Sequence, residues 1–173
     1  NGAVVGLDEA NLGPAEFDLY GAQRLLLMFG DSQSGKTSTL KTLISEFIRG
    51  KDFNEVMVCI VDLRRSLLGL VPPDFIGEYA GTRNSVDVLI KAMQQELDRR
   101  QPPANITIEQ LQDKSWWSGP ELYLVVDDYE MIEGSSNPLR PLIPYFAQAA
   151  DIGLHVVFSR RSAGVNRTGY ESV

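Results

Sequence analysis

At 173 residues, with 43% hydrophobic and 23% charged side chains, the chain is long enough to bury a core and suits one globular domain. A net charge of −7 and a pI near 4.7 argue against general affinity for nucleic acid or an anionic membrane surface. No apolar run approaches the roughly 18 residues of a membrane span. The single cysteine, Cys59, allows no disulfide within the chain and sits in an apolar run as a core residue.

The first predicted element is a short strand over Ala3 to Leu7, followed by an acidic, turn-rich stretch from Asp8 to Pro14 and a weak segment from Glu16 to Tyr20. The apolar run Leu25-Leu26-Leu27-Met28-Phe29 predicts a buried strand. It leads into Gly30-Asp31-Ser32-Gln33-Ser34-Gly35-Lys36-Thr37, which has the spacing G-x-x-x-x-G-K-T of a phosphate-binding loop. The two glycines allow a tight turn whose N–H groups point at phosphate oxygens. Lys36 would reach the β- and γ-phosphates of ATP, and the Thr37 hydroxyl would ligate Mg²⁺. A helix beginning near Thr37, with Ser38 in its first turn, aims its positive end at the same anion. Its buried face is Leu40, Leu43, Ile44, Phe47 and Ile48, and Gly50 is its stop.

Val56 to Val61 reads as a parallel strand buried on both faces and ends in Asp62. Pro72-Pro73 breaks the chain, so Asp74 to Gly81 is expected as loop or sheet edge. Asn84 is the expected cap of a helix lined by Val86, Leu89, Ile90, Met93 and Leu97, which ends near Arg99-Arg100 before Pro102-Pro103. Thr107 and Gln110 stand in capping-box positions for a short helix to Asp113. Leu122 to Val126 is a further buried strand, ending in Asp127-Asp128. A helix interrupted by Pro138, Pro141 and Pro144 then carries Leu139, Leu142, Ile143, Phe146, Ala147 and Ala150. The last strand is His155 to Ser159, before Arg160-Arg161.

Strands alternating with helices predict an α/β fold with a mainly parallel sheet, the three-layer αβα sandwich of RecA-like P-loop NTPases. In that arrangement the metal-holding carboxylate stands at the end of a neighbouring apolar strand, and Asp127 fits. Asp62 is its rival. If a strand is inserted between the loop strand and the Asp127 strand, it is His155 to Ser159, with Ser159 or Arg160 facing the γ-phosphate. The water-orienting carboxylate is expected from Asp128, one methylene shorter than the usual Glu. A displacement of about 1 Å there costs on the order of 100-fold in rate, which favours binding over rapid turnover.

These residues resemble the FtsK/SpoIIIE class of ring ATPases and, more narrowly, the last ATPase domain of the type VII secretion coupling proteins, the EccC family. The resemblance is carried by Gly6-Leu7-Asp8-Glu9, Gly30 to Thr37, Val61 to Leu68, Ser115 to Tyr123, Val126-Asp127-Asp128-Tyr129 and Asp151 to Val157. It implies an ATP- and Mg²⁺-dependent domain at the cytoplasmic face of the cell membrane. It would act beside other ATPase domains in a membrane secretion complex that exports small helical WXG-type proteins. Residues 1–173 are then one domain of a longer multi-domain chain, whose sheet is completed past Val173 unless Ala3 to Leu7 covers the edge. Two departures from the DNA-translocating relatives stand out: Asp128 in place of the catalytic Glu, and Arg160 in place of a γ-phosphate-sensing Gln. Arg160 and Arg161 have a second reading as an arginine finger toward a neighbouring subunit. Two other functions compete, a DNA-translocating motor and a docking module with a vestigial nucleotide site.

The remaining features have bland readings. Trp116 and Trp117 read as packing or a subunit contact, since few basic residues lie nearby to support nucleic-acid stacking. His155 reads as a core or edge histidine, and Arg99-Arg100 as complements to a helix dipole. Arg64-Arg65 reads either as a solvated pair or as a contact to nucleotide or a neighbouring domain.

Overall fold

A computed structural model describes residues 3–7, 10–18, 21, 24–134 and 137–162. Asp8-Glu9, Tyr20 and the terminal Ser172-Val173 lie outside the described residues. Among the described residues, seven strands and four α-helices follow in chain order. They are β1 (Ala3–Leu7), β2 (Pro14–Phe17), β3 (Leu25–Phe29), α1 (Lys36–Ile48), β4 (Val56–Val61), β5 (Ile76–Ala80), α2 (Arg83–Arg99), α3 (Ile108–Asp113), β6 (Glu121–Val126), α4 (Ile143–Phe146) and β7 (Leu154–Arg160).

Five strands form one parallel sheet in the order β3-β7-β6-β4-β5. The central strands are near-continuous apolar runs because both of their faces are covered. Cys59, Val61, Leu124, Val126 and Val156 pack under α2 and the α4 region. Val58, Ile60, Tyr123, Val125 and Val157 pack under α1. Alternation along each strand thus serves two cores, and the result is the expected αβα sandwich. Burial pushes the Cys59 thiol up to about 11, as befits a small apolar core residue.

Several local expectations are corrected. The segment expected at Glu16 to Tyr20 is a strand that starts earlier, at Pro14, and pairs antiparallel with β1 as a separate two-stranded sheet beside α1. The first strand therefore does not extend the main sheet, and among the described residues β3 is its edge. Helix α2 is capped by Thr82, not Asn84. The Thr82 side chain accepts from the Ser85 N–H at 3.2 Å, and the Ser85 hydroxyl accepts from the Thr82 N–H at 3.0 Å. The proline-rich helix shrinks to a 3₁₀ turn over Arg140–Leu142 and the single turn of α4, because Pro141 and Pro144 lack N–H donors and fit only opening turns. The capping box at Thr107 and Gln110 forms as expected. Among the described residues no helix is long and apolar enough to cross a membrane.

Candidate nucleotide site

The loop joining β3 to α1 opens at the carboxyl end of the sheet. Gly30 is required by close approach, since a Cβ there would run into the Ser34 side chain. Gly35 has φ 89°, which favours glycine, and it immediately precedes the first turn of α1. A cavity of about 480 Å³ faces this loop, lined by Ser32 to Ser38 and, from other parts of the chain, Arg64, Ser66, Asp128 and Arg161. The Lys36 ammonium donates to the carbonyls of Gly30 at 2.9 Å and Asp31 at 2.8 Å, leaving a third donor for a ligand.

Strand β7 lies between β3 and β6, so the expected insertion is present. It places Asp127 beside the loop without crowding it. The Thr37 hydroxyl donates to Asp127 Oδ2 at 2.9 Å, and the Ser159 hydroxyl donates to Asp127 Oδ1 at 2.8 Å. Ser159 in turn accepts the Asp128 N–H at 2.9 Å. A hydroxyl and a carboxylate oxygen this close suit a hard cation such as Mg²⁺, which takes few protein ligands and completes its shell with water and phosphate. A cluster of three or more His, Cys, Asp or Glu is absent among the described residues, and such a site does not need one.

Asp62, the rival carboxylate, is committed elsewhere. It is buried and accepts from the Leu67 N–H at 2.6 Å and the Tyr79 hydroxyl at 2.8 Å. Ser66 joins the two carboxylates: its Oγ lies 3.2 Å from both Asp62 Oδ1 and Asp127 Oδ2, and its one proton goes to either of them. Asp128 has φ 52° and pairs with Arg64, Nε to Oδ2, at 2.6 Å. Burial and the adjacent Asp127 raise its pKa above the ordinary aspartate value, while Arg64 opposes the rise.

Arg160, expected at the γ-phosphate, points away from the cavity. Strand β7 runs on through Arg160, so alternation sends that side chain to the opposite face from Ser159. There it pairs with Glu133 at 2.9 Å and lies over the Tyr129 ring. Arg161, one residue on, lines the cavity instead and pairs with Glu130 at 3.1 Å. Sequence reasoning left Arg64 undecided and did not single out Ser66. The available signal was their place just after an apolar strand ending in Asp.

The two tryptophans are packing residues. Trp116 donates to the Arg100 carbonyl at 2.7 Å, and the Trp117 ring carries the Arg100 guanidinium 4.4 Å from its centroid. His155 is fully buried in β7 and stacks on Tyr123 with centroids 4.0 Å apart.

A strand–loop–helix of this geometry, with an acidic strand end across an inserted strand, defines a P-loop NTPase domain. No family model matches the chain. It is 37% identical over 169 residues to the ESX secretion system protein EccC of Thermomonospora curvata, covering 98% of this chain and 13% of that protein. It is 36% identical over 171 residues to the ESX-4 secretion system protein EccC4 of Mycobacterium tuberculosis, covering 98% of this chain and 14% of that protein. A solved structure of T. curvata EccC, ATPases 2 and 3 in complex with a signal sequence peptide, superimposes with a TM-score of 0.91. The identity there is 36%, over 98% of this chain and 30% of that one. The chain resembles the ATPase domains of EccC over nearly all its length. It spans only about an eighth of the curated relatives.

Proposed function

We propose that this domain binds ATP with Mg²⁺ at the β3–α1 loop and serves as one ATPase domain of a type VII secretion ATPase. The observation that carries the reading is the 2.9 Å hydrogen bond from Thr37 to Asp127, which joins the loop to the neighbouring strand end beside Lys36. In this reading the main chain of Gly30 to Lys36 and the first turn of α1, with Ser38, cradle the phosphates. Lys36 neutralises the β- and γ-phosphates, and Thr37 and Asp127 hold the metal, which offsets phosphate charge when bound. Asp128 orients water slowly, because its side chain is one methylene shorter than the usual Glu. The partners are small helical WXG-type export substrates, other ATPase domains and a membrane secretion complex at the cytoplasmic face. The peptide complex of the T. curvata relative supports recognition of an export signal.

Calorimetry with ATP and Mg²⁺, with phosphate release assayed on the same samples, tests the reading. The chain is expected to bind ATP, and Lys36→Ala to weaken binding on the order of 100-fold, since a charge-assisted contact to phosphate is lost. Absence of binding heat in the unaltered chain would overturn the nucleotide reading. Rapid phosphate release would overturn the slow-turnover part alone.

A further inference from the structure

The phosphate-binding motif does not account for one wall of the cavity, the turn after β4. Asp62 fastens this turn at both ends. It is 1% exposed, takes the Leu67 N–H at 2.6 Å, and takes the Tyr79 hydroxyl of β5 at 2.8 Å. Arg65, at φ 61°, reverses the chain between them. A turn pinned in this way presents its side chains from a fixed base, and two of them, Arg64 and Ser66, border the cavity. The Arg64 guanidinium reaches Asp128 at 2.6 Å, yet its side chain is 46% exposed. Its Nε is held by Asp128 and lies 3.2 Å from Met131 Sδ, a weak acceptor, and nearly half of the side chain is solvated.

We propose that Arg64 is a γ-phosphate sensor supplied by the domain itself. It clamps Asp128 when the distal phosphate is missing, and exchanges that carboxylate for γ-phosphate oxygens when a triphosphate is bound. This rests on the nucleotide reading above and adds a residue to it. Three features support the exchange. A guanidinium has five N–H donors in a planar fork suited to phosphate, and the Asp128 contact engages Nε. A terminal phosphate bears more charge than a carboxylate and is the stronger acceptor. Apart from the Asp128 pair and a weak contact to Met131 Sδ, the side chain stands on its pinned turn, so it can swing without opening the core.

The exchange couples sensing to chemistry. Released from Arg64, Asp128 can accept a proton from the attacking water. The water oxygen bonds to the γ-phosphorus as the bond to the bridging oxygen breaks. ADP leaves with that electron pair, and the proton passes from Asp128 to phosphate or solvent. Arg64 contacts the transferred group only in the triphosphate state, whereas Lys36 contacts the nucleotide in both states.

The test compares affinities for ADP and for a non-hydrolysable ATP analogue with Mg²⁺, by calorimetry on the chain and its variants. Arg64→Ala is expected to keep ADP affinity within about twofold and to weaken the analogue by roughly tenfold, the effect of one charge-assisted contact. Asp128→Asn frees the guanidinium and is expected to strengthen the analogue several-fold. That gain should vanish in the Arg64→Ala background, a coupling that simple removal of a nearby negative charge does not produce. Circular dichroism of each variant checks that it is folded, and Arg64→Lys, which keeps the charge but loses the fork, should fall between. If Arg64→Ala binds both ligands with an unchanged ratio, the sensor is overturned and the nucleotide site stands. If the unaltered chain binds neither ligand, both fall together.

Discussion

The two ends of the sheet use their charged side chains in opposite ways. At the amino end, Arg100 is 1% exposed. It is bound to Glu96 at 2.8 Å, to the carbonyls of Ile152 at 3.1 Å and Pro120 at 2.9 Å, and to the Trp117 face. Close by, Glu121 meets Arg24 at 3.2 Å and His155 at 2.6 Å. At the carboxyl end, Lys36, Arg64 and Arg161 border open space, each tied at only a few points. A cation whose donors are spent inside the protein holds elements together. One with donors to spare beside a cavity is positioned for an anion.

Breaking the amino end should therefore cost stability and leave binding alone. Arg100→Ala strips the Ile152 and Pro120 carbonyls of their donor, leaves Glu96 to Arg99 alone and empties the space over Trp117, and is expected to destabilise by about 3 kcal/mol. For a chain of this size that lowers Tm by roughly 6–12 °C. Nucleotide affinity, measured below the new Tm, should stay within about twofold. A smaller effect of the opposite kind is expected at the carboxyl end. Asp127→Asn keeps one oxygen acceptor for Ser159 and turns an amide NH₂ toward the Thr37 and Ser66 hydroxyls, which can rotate to accept from it, so unfolding free energy should change by less than about 1 kcal/mol. The gain in ATP affinity on adding Mg²⁺ should drop by roughly tenfold, because the hard anionic ligand is gone. Equal losses of stability in the two variants would erase the distinction between the ends.

That distinction was only partly legible in the sequence. The strands and the loop could be read because their signals are local: apolar runs ending in acids, and eight residues at fixed spacing. The inserted position of β7 followed from the same logic. Arg160 and Arg161 defeated it because the strand runs one residue further than the apolar pattern, and alternation then exchanges their faces. Arg64 could not be assigned because its place depends on Asp62 reaching forward to Leu67 and Tyr79, contacts between β4, its turn and β5. Arg100 looked like a dipole complement because nothing local reveals that Trp117 and the β7 entry fold over it.

The third effect is smaller and tests a purely structural group at the functional end. Thr82 and Ser85 satisfy each other's N–H groups at the start of α2, where the sequence alone points to Asn84 as the cap. Both Thr and Asn make good caps, and the reciprocal partner here is Ser rather than the more usual Glu or Gln. Thr82→Ala should cost about 1 kcal/mol in denaturant unfolding, whereas Asn84→Ala should be near neutral. An unchanged ATP affinity in Thr82→Ala would show that the carboxyl end also contains groups that only hold the fold.

The smallest effect concerns Glu121 and depends on pH. Burial alone would raise its pKa, but His155 and Arg24 outweigh that and hold it at about 2. A folded-state pKa below the unfolded one gives stability that is complete above the ordinary carboxylate value near 4.5. It is lost as pH falls from there toward 2. The side chain is 37% exposed, so water screens the ion pair and the contribution is modest. Urea unfolding of the chain and of Glu121→Gln at a series of pH values should show the unaltered chain more stable at neutral pH. The gap should close as the solution is acidified through that window. A gap of constant size would mean that Glu121 contributes through packing rather than charge, and the amino-end network would then rest on Arg100 alone.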